Sequence, residues 1–344
     1  MKLSFTTYRI FLKHTFGISR SSNNWYDIVL IFLQDGKIIG RGEAAPSARY
    51  NESKELIKSI LDRGVFLPEN CTDRNRIWEY ILPQLGKVKS LEAAFSMALW
   101  DWWGQKQDQP LYELLGLDML NTPMTSYTIA IGDISEIEEK VNEANPYAIL
   151  KVKLGTLRSD KLIINEIRKI TDKVIRVDAN EGWDLETAIY MCKWLADRNV
   201  EFIEQPFPSK KLDHVSQLSK ISPLEIFADE NSINSKDIPD IKKFGYNGIN
   251  IKLMKCGSIE EAMSMVKSAK FYDMKIMLGC MVETSVGITA ASHLAGEVDA
   301  VDLDGNLLIT NDPYKGVGIK NGRLVLPPMN GIGLKLESKN GDLR

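Results

Sequence analysis

Residues 173–206 form the stretch KVIRVDANEGWDLETAIYMCKWLADRNVEFIEQP, in which two short apolar runs flank an amphipathic segment. The runs at 174–178 and 201–204 have the composition of buried strands, and residues 184–196 between them have helical spacing. A helix of this length can join two parallel strands of one sheet. The stretch therefore predicts a β-α-β unit.

The same alternation of strand and helix continues on both sides of this unit. Strand-like runs lie at 125–131, 148–154, 174–178, 201–204, 225–229, 248–253, 275–280 and 300–303. Eight units in succession favour a closed parallel barrel, although a doubly wound open sheet would share much of the pattern. We predict an α/β fold built on a barrel of the TIM type.

The two ends of the chain have a different pattern. Strands are predicted at 3–10, 26–34 and 38–43, followed by helices, the clearest of which begins at Ser90 as its cap. Near the other end, Asn321-Gly322 lies between apolar residues, as in a hairpin turn. We predict a small α+β domain of residues 1–118, completed by the tail 310–344, beside a barrel of residues 119–309.

Composition excludes several classes of function. The formal net charge is only −3, so neither a nucleic acid nor an anionic membrane surface is the expected partner. The four cysteines form no CxxC pair, and no apolar run is long enough to span a membrane, so we expect a cytoplasmic protein. The three histidines lack metal-ligand spacing, so any metal should be held by oxygen. Monomer and homo-oligomer both stay open.

Five ionisable residues end consecutive predicted strands. They are Lys153, Asp178, Glu204, Asp229 and Lys252, at intervals of 25, 26, 25 and 23 residues. One β-α unit separates each from the next. Charges at the carboxyl ends of neighbouring barrel strands gather on one rim, where barrel active sites are built.

The positions of these residues on the rim assign them roles. Asp178, Glu204 and Asp229 come from adjacent strands, and three adjacent carboxylates repel one another unless a cation binds them. Oxygen ligands of this kind suit Mg²⁺, with Mn²⁺ as a substitute. Taken singly, each carboxylate could instead cap the helix that follows it.

The lysines predict a proton transfer. Lys153 and Lys252 lie four strands apart in a ring of eight, so they should face each other across the site. A metal that holds a substrate carboxylate stabilises the enediolate formed when the α-proton leaves, and two bases on opposite faces of that carbon permit inversion. We expect nearby Mg²⁺ and the ammonium of Lys151, which shares a strand face with Lys153, to lower the lysine pKa values.

The motifs around these residues resemble those of the enolase superfamily, muconate-lactonising subgroup. They are Lys151-Val-Lys, Val177-Asp-Ala-Asn, Ile203-Glu-Gln-Pro, Ala228-Asp-Glu and Asn250-Ile-Lys-Leu-Met-Lys, together with Ala98-Leu-Trp-Asp and Pro110-Leu-Tyr-Glu-Leu-Leu-Gly. The resemblance covers essentially the whole chain. It implies a modified (β/α)₇β barrel with an α+β capping domain, Lys151 as an auxiliary residue, and Lys153 and Lys252 as bases, in preference to Lys255.

Small departures from the family pattern touch no catalytic position. The family often has Gly-Gly where this chain has Gly257-Ser258 and Gly116-Leu117. Asn180, Glu230 and Glu283 are expected to support the metal site by contacting its ligands.

Asp302 and Asp304 lead us to a choice among the subgroup's reactions. They lie two apart on the eighth strand, opposite the metal, so both can bind the cationic end of a substrate whose carboxylate is held by Mg²⁺. The pair resembles that of dipeptide epimerases, whose substrates have a free ammonium. The simpler interpretation is a turn at Asp304 with Asp302 in solvent.

Arg20, in the predicted loop 17–25 between the first two strands, resembles in position an arginine of Ala-Glu epimerases. Its guanidinium could pair with a glutamate side chain of the substrate. We therefore predict a dipeptide epimerase, with L-Ala-D/L-Glu as the first candidate substrate. The alternatives are an N-acylamino acid racemase, an o-succinylbenzoate synthase, a muconate cycloisomerase or a metal-binding scaffold without turnover.

Overall fold

The computed structural model describes residues 1–337 of the chain. The first part is an antiparallel sheet in the order β1-β2-β3, followed by helices. Its elements are β1 Lys2–Ile18, β2 Ser21–Asp35, β3 Ile38–Ala44, α1 Lys54–Asp62, α2 Arg74–Ile81, α3 Lys89–Gln107 and α4 Leu111–Leu114.

Strand β2 is buried on both faces because the sheet lies between two apolar layers. Val29, Ile31 and Leu33 belong to a core cluster formed with helices α1, α2 and α3. The alternate residues Leu30 and Phe32 belong to the larger core that includes the barrel. Because strand side chains alternate between faces, one strand joins both cores.

Helix α3 packs unusually close to strand β3. A Cβ atom at Gly40 would lie 2.0 Å from the carbonyl oxygen of Ala98, and one at Gly42 would lie 1.8 Å from that of Ala94. These contacts leave no room for a side chain, so both glycines are required by the approach of the helix.

The first hairpin is longer than its sequence predicts. We expected strands at 3–10 and 26–34 with a loop at 17–25, but β1 extends to Ile18 and β2 begins at Ser21. Only Ser19 and Arg20 form the turn. The loop prediction was wrong because Phe16, Gly17 and Ile18 pair with polar Asn23, Ser22 and Ser21, which carry no apolar strand pattern.

The second part is a parallel barrel whose strands follow one another in chain order. Its strands are β4 Ser126–Ile129, β5 Ile149–Lys153, β6 Val174–Asp178, β7 Val200–Glu204, β8 Glu225–Ala228, β9 Gly248–Ile251, β10 Lys275–Gly279 and β11 Ala300–Asp302. Its helices are α5 Ile137–Glu143, α6 Asp160–Ile170, α7 Leu185–Ala196, α8 Leu212–Leu218, α9 Ile238–Lys243, α10 Leu253–Cys256, α11 Ile259–Phe271 and α12 Ser285–Ser292.

A parallel bridge between Thr125 and Val301 closes the sheet from β11 back to β4. Within residues 1–337, each of the seven connections between successive barrel strands contains a helix, and β11 is followed only by a short 3-10 turn. The predicted (β/α)₇β barrel with an α+β domain is therefore confirmed, and the open-sheet alternative is excluded.

The tail returns to the first part of the chain. It contains β12 Tyr314–Lys315, β13 Gly318–Lys320, β14 Arg323–Val325 and β15 Lys335–Leu336. β13 and β14 form the hairpin expected at Asn321-Gly322, where both residues have positive φ. The amide of Thr310 donates to the carbonyl of Phe11 at 2.8 Å, and that of Leu111 donates to the carbonyl of Gly331 at 2.9 Å. Residues 338–344 of the predicted tail lie outside the described residues.

Local side chains cap two of the barrel helices, whereas a distant residue caps the start of α3. Ser258 and Asp184 cap α11 and α7 through their side chains. Ser90, in contrast, lies inside α3, which begins at Lys89. The carboxylate of Glu52 accepts from the amides of Lys89 and Ser90 at 2.6 and 3.2 Å and takes the place of a local cap.

Among residues 1–337, no helix combines the length and apolar character needed to cross a membrane.

Candidate active site at the carboxyl rim of the barrel

The five strand-end residues lie together at one rim. Lys153, Asp178 and Glu204 are the last residues of β5, β6 and β7 and stand in register with one another. Asp229 and Lys252 directly follow β8 and β9. All five side chains are buried, so their charges must be balanced within the site.

The carboxylates of Asp178, Glu204 and Asp229 converge. One oxygen from each lies within 4.8 Å of the others, which is close enough for a single ion to bind all three. Burial and the nearby charge of Asp178 raise the pKa of Glu204, whereas at Asp178 and Asp229 the charges of nearby lysines outweigh burial and lower the carboxyl pKa. The geometry is that of an oxygen-ligand site.

Lys153 and Lys252 approach the cluster from opposite sides. The Nζ of Lys153 lies 2.7 Å from Asp178 Oδ2, and the Nζ of Lys252 lies 2.8 Å from Asp229 Oδ2. Strands β6, β7 and β8 separate β5 from β9, so the two ammonium groups flank the cluster. This is the arrangement predicted for two opposed bases.

The carboxylates beside Lys252 govern its pKa. Burial lowers it, but the negative charges of Asp229 and Glu204 outweigh burial, so the pKa of Lys252 is raised. The expected lowering of the lysine pKa requires a divalent cation on these carboxylates, which would offset their negative charge.

Lys151 spans the centre of the barrel. Its Nζ lies 2.7 Å from Glu204 Oε2 and 2.6 Å from Asp302 Oδ2, and the side chain is almost completely buried. Burial lowers its pKa, but the charges of Asp302 and Glu204 raise it by more. Lys151 is therefore an ammonium that links the carboxylate cluster to the opposite wall.

Lys255 is held in a way that is unlike Lys252. Its Nζ contacts Asp229 Oδ1 at 2.6 Å, the Asp229 carbonyl at 2.6 Å and the Asn250 carbonyl at 2.9 Å. Because three acceptors hold this ammonium, the geometry agrees with the preference for Lys252 as the base.

Two residues that position the ligands were not singled out from the sequence. The amide of Asn250 donates to Glu204 Oε1 at 2.7 Å, and Gln205 Oε1 accepts from the backbone N–H of Asp229 at 2.9 Å. Both lie within the quoted motifs. The sequence feature that could have identified them is a polar side chain near the end of a buried strand.

The three residues expected to support the ligands have different surroundings. The backbone N–H of Asn180 donates to Asp178 Oδ1 at 2.9 Å, as support requires. Glu230 accepts from Arg20 at 2.9 Å, and Glu283 accepts from the amide of Met281 at 2.7 Å. Among the described residues, neither glutamate makes a hydrogen bond to a ligand of the cluster, so the expected support by Glu230 and Glu283 is not found.

Asp302 and Asp304 are both buried at the end of β11, against β4. Asp302 accepts from Ser126 Oγ at 2.5 Å and pairs with Lys151, whereas Asp304 Oδ2 accepts from the Thr128 amide at 2.6 Å. Burial and the charge of Asp302 raise the pKa of Asp304 to about 7. The interpretation of Asp302 as a solvated residue is therefore wrong, and within residues 1–337 Asp304 has no ion-pair partner.

Arg20 reaches the rim, but protein groups hold its guanidinium. Nη1 donates to the Asn180 carbonyl at 3.0 Å, Nη2 donates to Glu230 Oε1 at 2.9 Å, and Glu181 Oε2 lies 3.5 Å away. A substrate carboxylate would have to compete with these partners.

The residues of the carboxylate cluster fit a small hard cation. Their donor atoms are all oxygens, and the buried Oδ1 of Asn180, beside Asp178, accepts no hydrogen bond from any residue in 1–337. An acceptor oxygen without a donor suits a metal or a water on it.

A second group, His14 with Glu139 and Glu143, also brings ligand atoms within 4.8 Å of one another. Glu143 is already paired with His14 at 2.8 Å and accepts from Tyr127 at 3.0 Å, and Lys140 lines the same pocket. The fold therefore brings His14 beside two carboxylates of α5, a proximity that the spacing of histidines along the sequence does not reveal.

Known proteins resemble the chain along nearly its whole length. Residues 5–116 match the sequence family described as mandelate racemase / muconate lactonizing enzyme, N-terminal domain. Residues 134–340 match the family described as enolase C-terminal domain-like. The L-Ala-D/L-Glu epimerase of Bacteroides thetaiotaomicron is 39% identical over 97% of this chain and 88% of its own length. The L-Ala-D/L-amino acid epimerase of Flavobacterium johnsoniae is 36% identical over 98% of this chain and 100% of its own.

A solved structure shares the fold. The dipeptide epimerase from Methylococcus capsulatus, complexed with Mg and the dipeptide L-Arg-D-Lys, aligns over 97% of this chain and 98% of its own, with a TM-score of 0.90 and 28% identity. Since both parts of the sequence match and the barrel superposes throughout, the chain belongs to the mandelate racemase / muconate lactonizing enzyme family of the enolase superfamily.

Proposed function

We propose that this protein is a Mg²⁺-dependent dipeptide epimerase that moves the α-proton of the C-terminal residue. The observation that carries the proposal is the placement of Lys153 and Lys252 on opposite sides of one carboxylate cluster. Groups at these two positions can reach opposite faces of a carbon held between them. Removal of the proton from one face and its return from the other inverts the centre.

Asp178, Glu204 and Asp229 would hold the metal, for which Mn²⁺ is a reasonable substitute. When bound, the metal supplies positive charge beside the substrate carboxylate and so stabilises the enediolate that proton removal creates. Lys151, whose ammonium contacts Glu204 and Asp302, would attract the same carboxylate from the centre of the barrel. Burial of all these groups strengthens their attraction for the developing charge.

The opposite end of the substrate should be an ammonium. Asp304 is a buried carboxylate whose pKa is raised to about 7, and an ammonium beside it would favour its charged form. A dipeptide has this group at its N-terminus, whereas an N-acylated amino acid lacks it. This difference favours the dipeptide over N-acylamino acid and o-succinylbenzoate substrates, and the names of the relatives support the same choice.

L-Ala-D/L-Glu is our first candidate, although the relatives' names extend from glutamate to other amino acids in the second position. Arg20 is the residue we propose for recognition of a glutamate side chain. To bind the substrate, Arg20 must release Glu230. The glutamate side chain of the substrate can replace Glu230 because it forms a charge-assisted bond of the same kind.

The test is deuterium incorporation from D₂O, measured by mass spectrometry for L-Ala-L-Glu, L-Ala-L-Leu and N-acetyl-L-Ala-L-Glu. After chelation we expect no exchange, and addition of Mg²⁺ or Mn²⁺ should restore one deuterium in the free dipeptides. Preference for the acetylated compound, or full exchange without metal, would reject the proposal.

Arg20→Ala separates the side-chain assignment from the reaction. We expect the variant to lose the preference for L-Ala-L-Glu over L-Ala-L-Leu by about 10-fold, because a charge-assisted bond contributes about 1.5–3 kcal/mol. An unchanged ratio of the two dipeptides would remove Arg20 from recognition and leave the epimerase assignment standing.

A further inference from the structure

The turn of the first hairpin is seated on the rim of the barrel. A Cβ atom at Gly17 would lie 2.3 Å from the carbonyl oxygen of Ile131, just after β4. One at Gly155, after β5, would lie 2.9 Å from the Cβ of Ser19. The hydroxyl of Ser19 donates to the carbonyl of Asn180, after β6, at 2.6 Å. The hairpin turn therefore lies along the rim, in close contact with the ends of the three adjacent strands β4, β5 and β6.

A second segment of the first domain reaches the same rim. The 3-10 turn Ala48–Tyr50 carries Arg49, whose guanidinium makes two parallel bonds of 2.8 Å to the carboxylate of Glu181. The amide of Ser209 donates to Glu181 Oε1 at 2.8 Å. A bidentate pair of this type is both strong and directional.

Glu181 is the carboxylate that both segments share. Its Oε2 lies 2.8 Å from Arg49 Nε and 3.5 Å from Arg20 Nη1, and its side chain is only 12% exposed. Two arginines from different segments thus meet one acidic group on the barrel. Loss of that group would leave two neighbouring cations that repel each other.

The backbone that presents Glu181 is unusual. Asn180 and Glu181 have φ of 43° and 66°, the left-handed region that is unfavourable for residues with a side chain. The N–H of Glu181 donates to the Gln205 carbonyl at 2.9 Å. This turn begins two residues after Asp178. Its backbone conformation therefore determines where Glu181 lies relative to the carboxylate cluster.

From these contacts we propose that Glu181 is a positioning residue that latches the hairpin turn at Arg20 and the turn at Arg49 together over the barrel mouth. The latch closes the site around its contents and has to open for exchange with solvent, as in other enzymes with covering loops. The inference rests on the proposed function in one respect, namely that the space beneath these two segments is the substrate site.

Trypsin tests the latch directly, because Arg20 and Arg49 are themselves cleavage points. Cleavage needs a released arginine side chain, so its rate follows the fraction of opened protein. In Glu181→Gln we expect the rate of cleavage to rise after both Arg20 and Arg49. After Arg49 the rise should be about 10-fold, because the variant loses the charged partner of that arginine. Cleavage after exposed Arg63 should stay unchanged and serves as the internal reference.

Two further variants make the result specific. Glu201→Gln removes a carboxylate that pairs with Arg176 at 2.7 Å on the N-terminal side of the strand-end residues, and should change neither rate. Glu230→Gln removes a partner of Arg20 alone and should accelerate cleavage only after Arg20. If Glu181→Gln leaves the Arg20 rate at its original value, the shared latch is wrong.

The dipeptide reaction supplies an independent measurement. In Glu181→Gln we expect KM to rise about 10-fold with kcat changed less than about 3-fold, because the Glu181 side chain contacts Arg20, Arg49 and the Ser209 amide and, among the described residues, bonds to none of the strand-end lysines or carboxylates. A fall in kcat at constant KM would overturn the positioning role. Absence of any dipeptide turnover in the unmodified protein would reject the proposed function and leave the proteolysis result to stand alone.

Discussion

Lys153 and Lys252 have matching positions on two sides of one carboxylate cluster, at 2.7 and 2.8 Å from Asp178 and Asp229. Because each can reach one face only, we expect Lys153→Ala and Lys252→Ala each to lose epimerisation by about 1,000-fold or more, the scale of general base catalysis. Each variant should still exchange the α-proton of one epimer through the remaining lysine. Deuterium incorporation into separate samples of the two epimers measures this.

Lys255→Ala provides a comparison, since Lys255 carries the same charge close by but is held by Asp229 and two backbone carbonyls. This substitution should not make exchange selective for one epimer. If Lys252→Ala still exchanged both epimers equally, the two-base mechanism would fail.

At the level of single elements, helix α3 depends on a distant cap. Glu52 accepts from the first two amides of the helix and is 8% exposed, in a place where the local sequence offers no side-chain cap. We expect Glu52→Ala to lower the free energy of unfolding by about 1–2 kcal/mol, since it removes two bonds and a negative charge at a helix N-terminus. Urea denaturation followed by tryptophan fluorescence gives the value.

Ser90→Ala is the matched variant, because Ser90 is the residue that sequence alone would choose as the cap. Its loss should cost less than about 0.5 kcal/mol, as expected when no cap is removed. Equal destabilisation by the two substitutions would contradict the assignment of the cap to Glu52 alone.

For the whole molecule, His293 links three parts of the fold. Its ring Nδ1 accepts from the amide of Tyr112 in α4 at 3.1 Å, and Nε2 lies 3.0 Å from the carbonyl of Ile332 in the tail. Burial lowers the pKa of His293 to about 4. The fold therefore holds the ring in its neutral form. The contribution of this group to the free energy of unfolding is fully present above the ordinary histidine pKa of about 6.5 and is lost as the pH falls toward 4.

We expect this loss to reach about 2 kcal/mol at pH 5, because the unfolded chain binds a proton there that the folded chain excludes. The measurement is the difference in unfolding free energy between the unmodified protein and His293→Gln, taken at pH 7.5 and pH 5. Buried carboxyl groups with raised pKa act with the opposite sign, but they are common to both proteins and cancel. A difference that is the same at both pH values would contradict the assignment.

The local sequence determined the barrel and the order of its rim residues. Short apolar runs separated by helical spacing specify strands and crossovers, and consecutive strands of such a barrel are neighbours. For this reason the sequence was enough to predict that Asp178, Glu204 and Asp229 meet. The tail hairpin at Asn321-Gly322 was predictable on the same local grounds.

Only the tertiary structure decided which distant groups these residues contact. Glu52 with α3, Lys151 with Asp302, and Arg20 with Glu230 join side chains separated by 37, 151 and 210 positions, and no local pattern records such pairs. The extension of the first hairpin belongs here as well, since polar residues 21–23 become strand by pairing across the turn. Periodicity reports which face of an element is apolar, whereas the partner of a buried charge depends on how whole elements pack against one another.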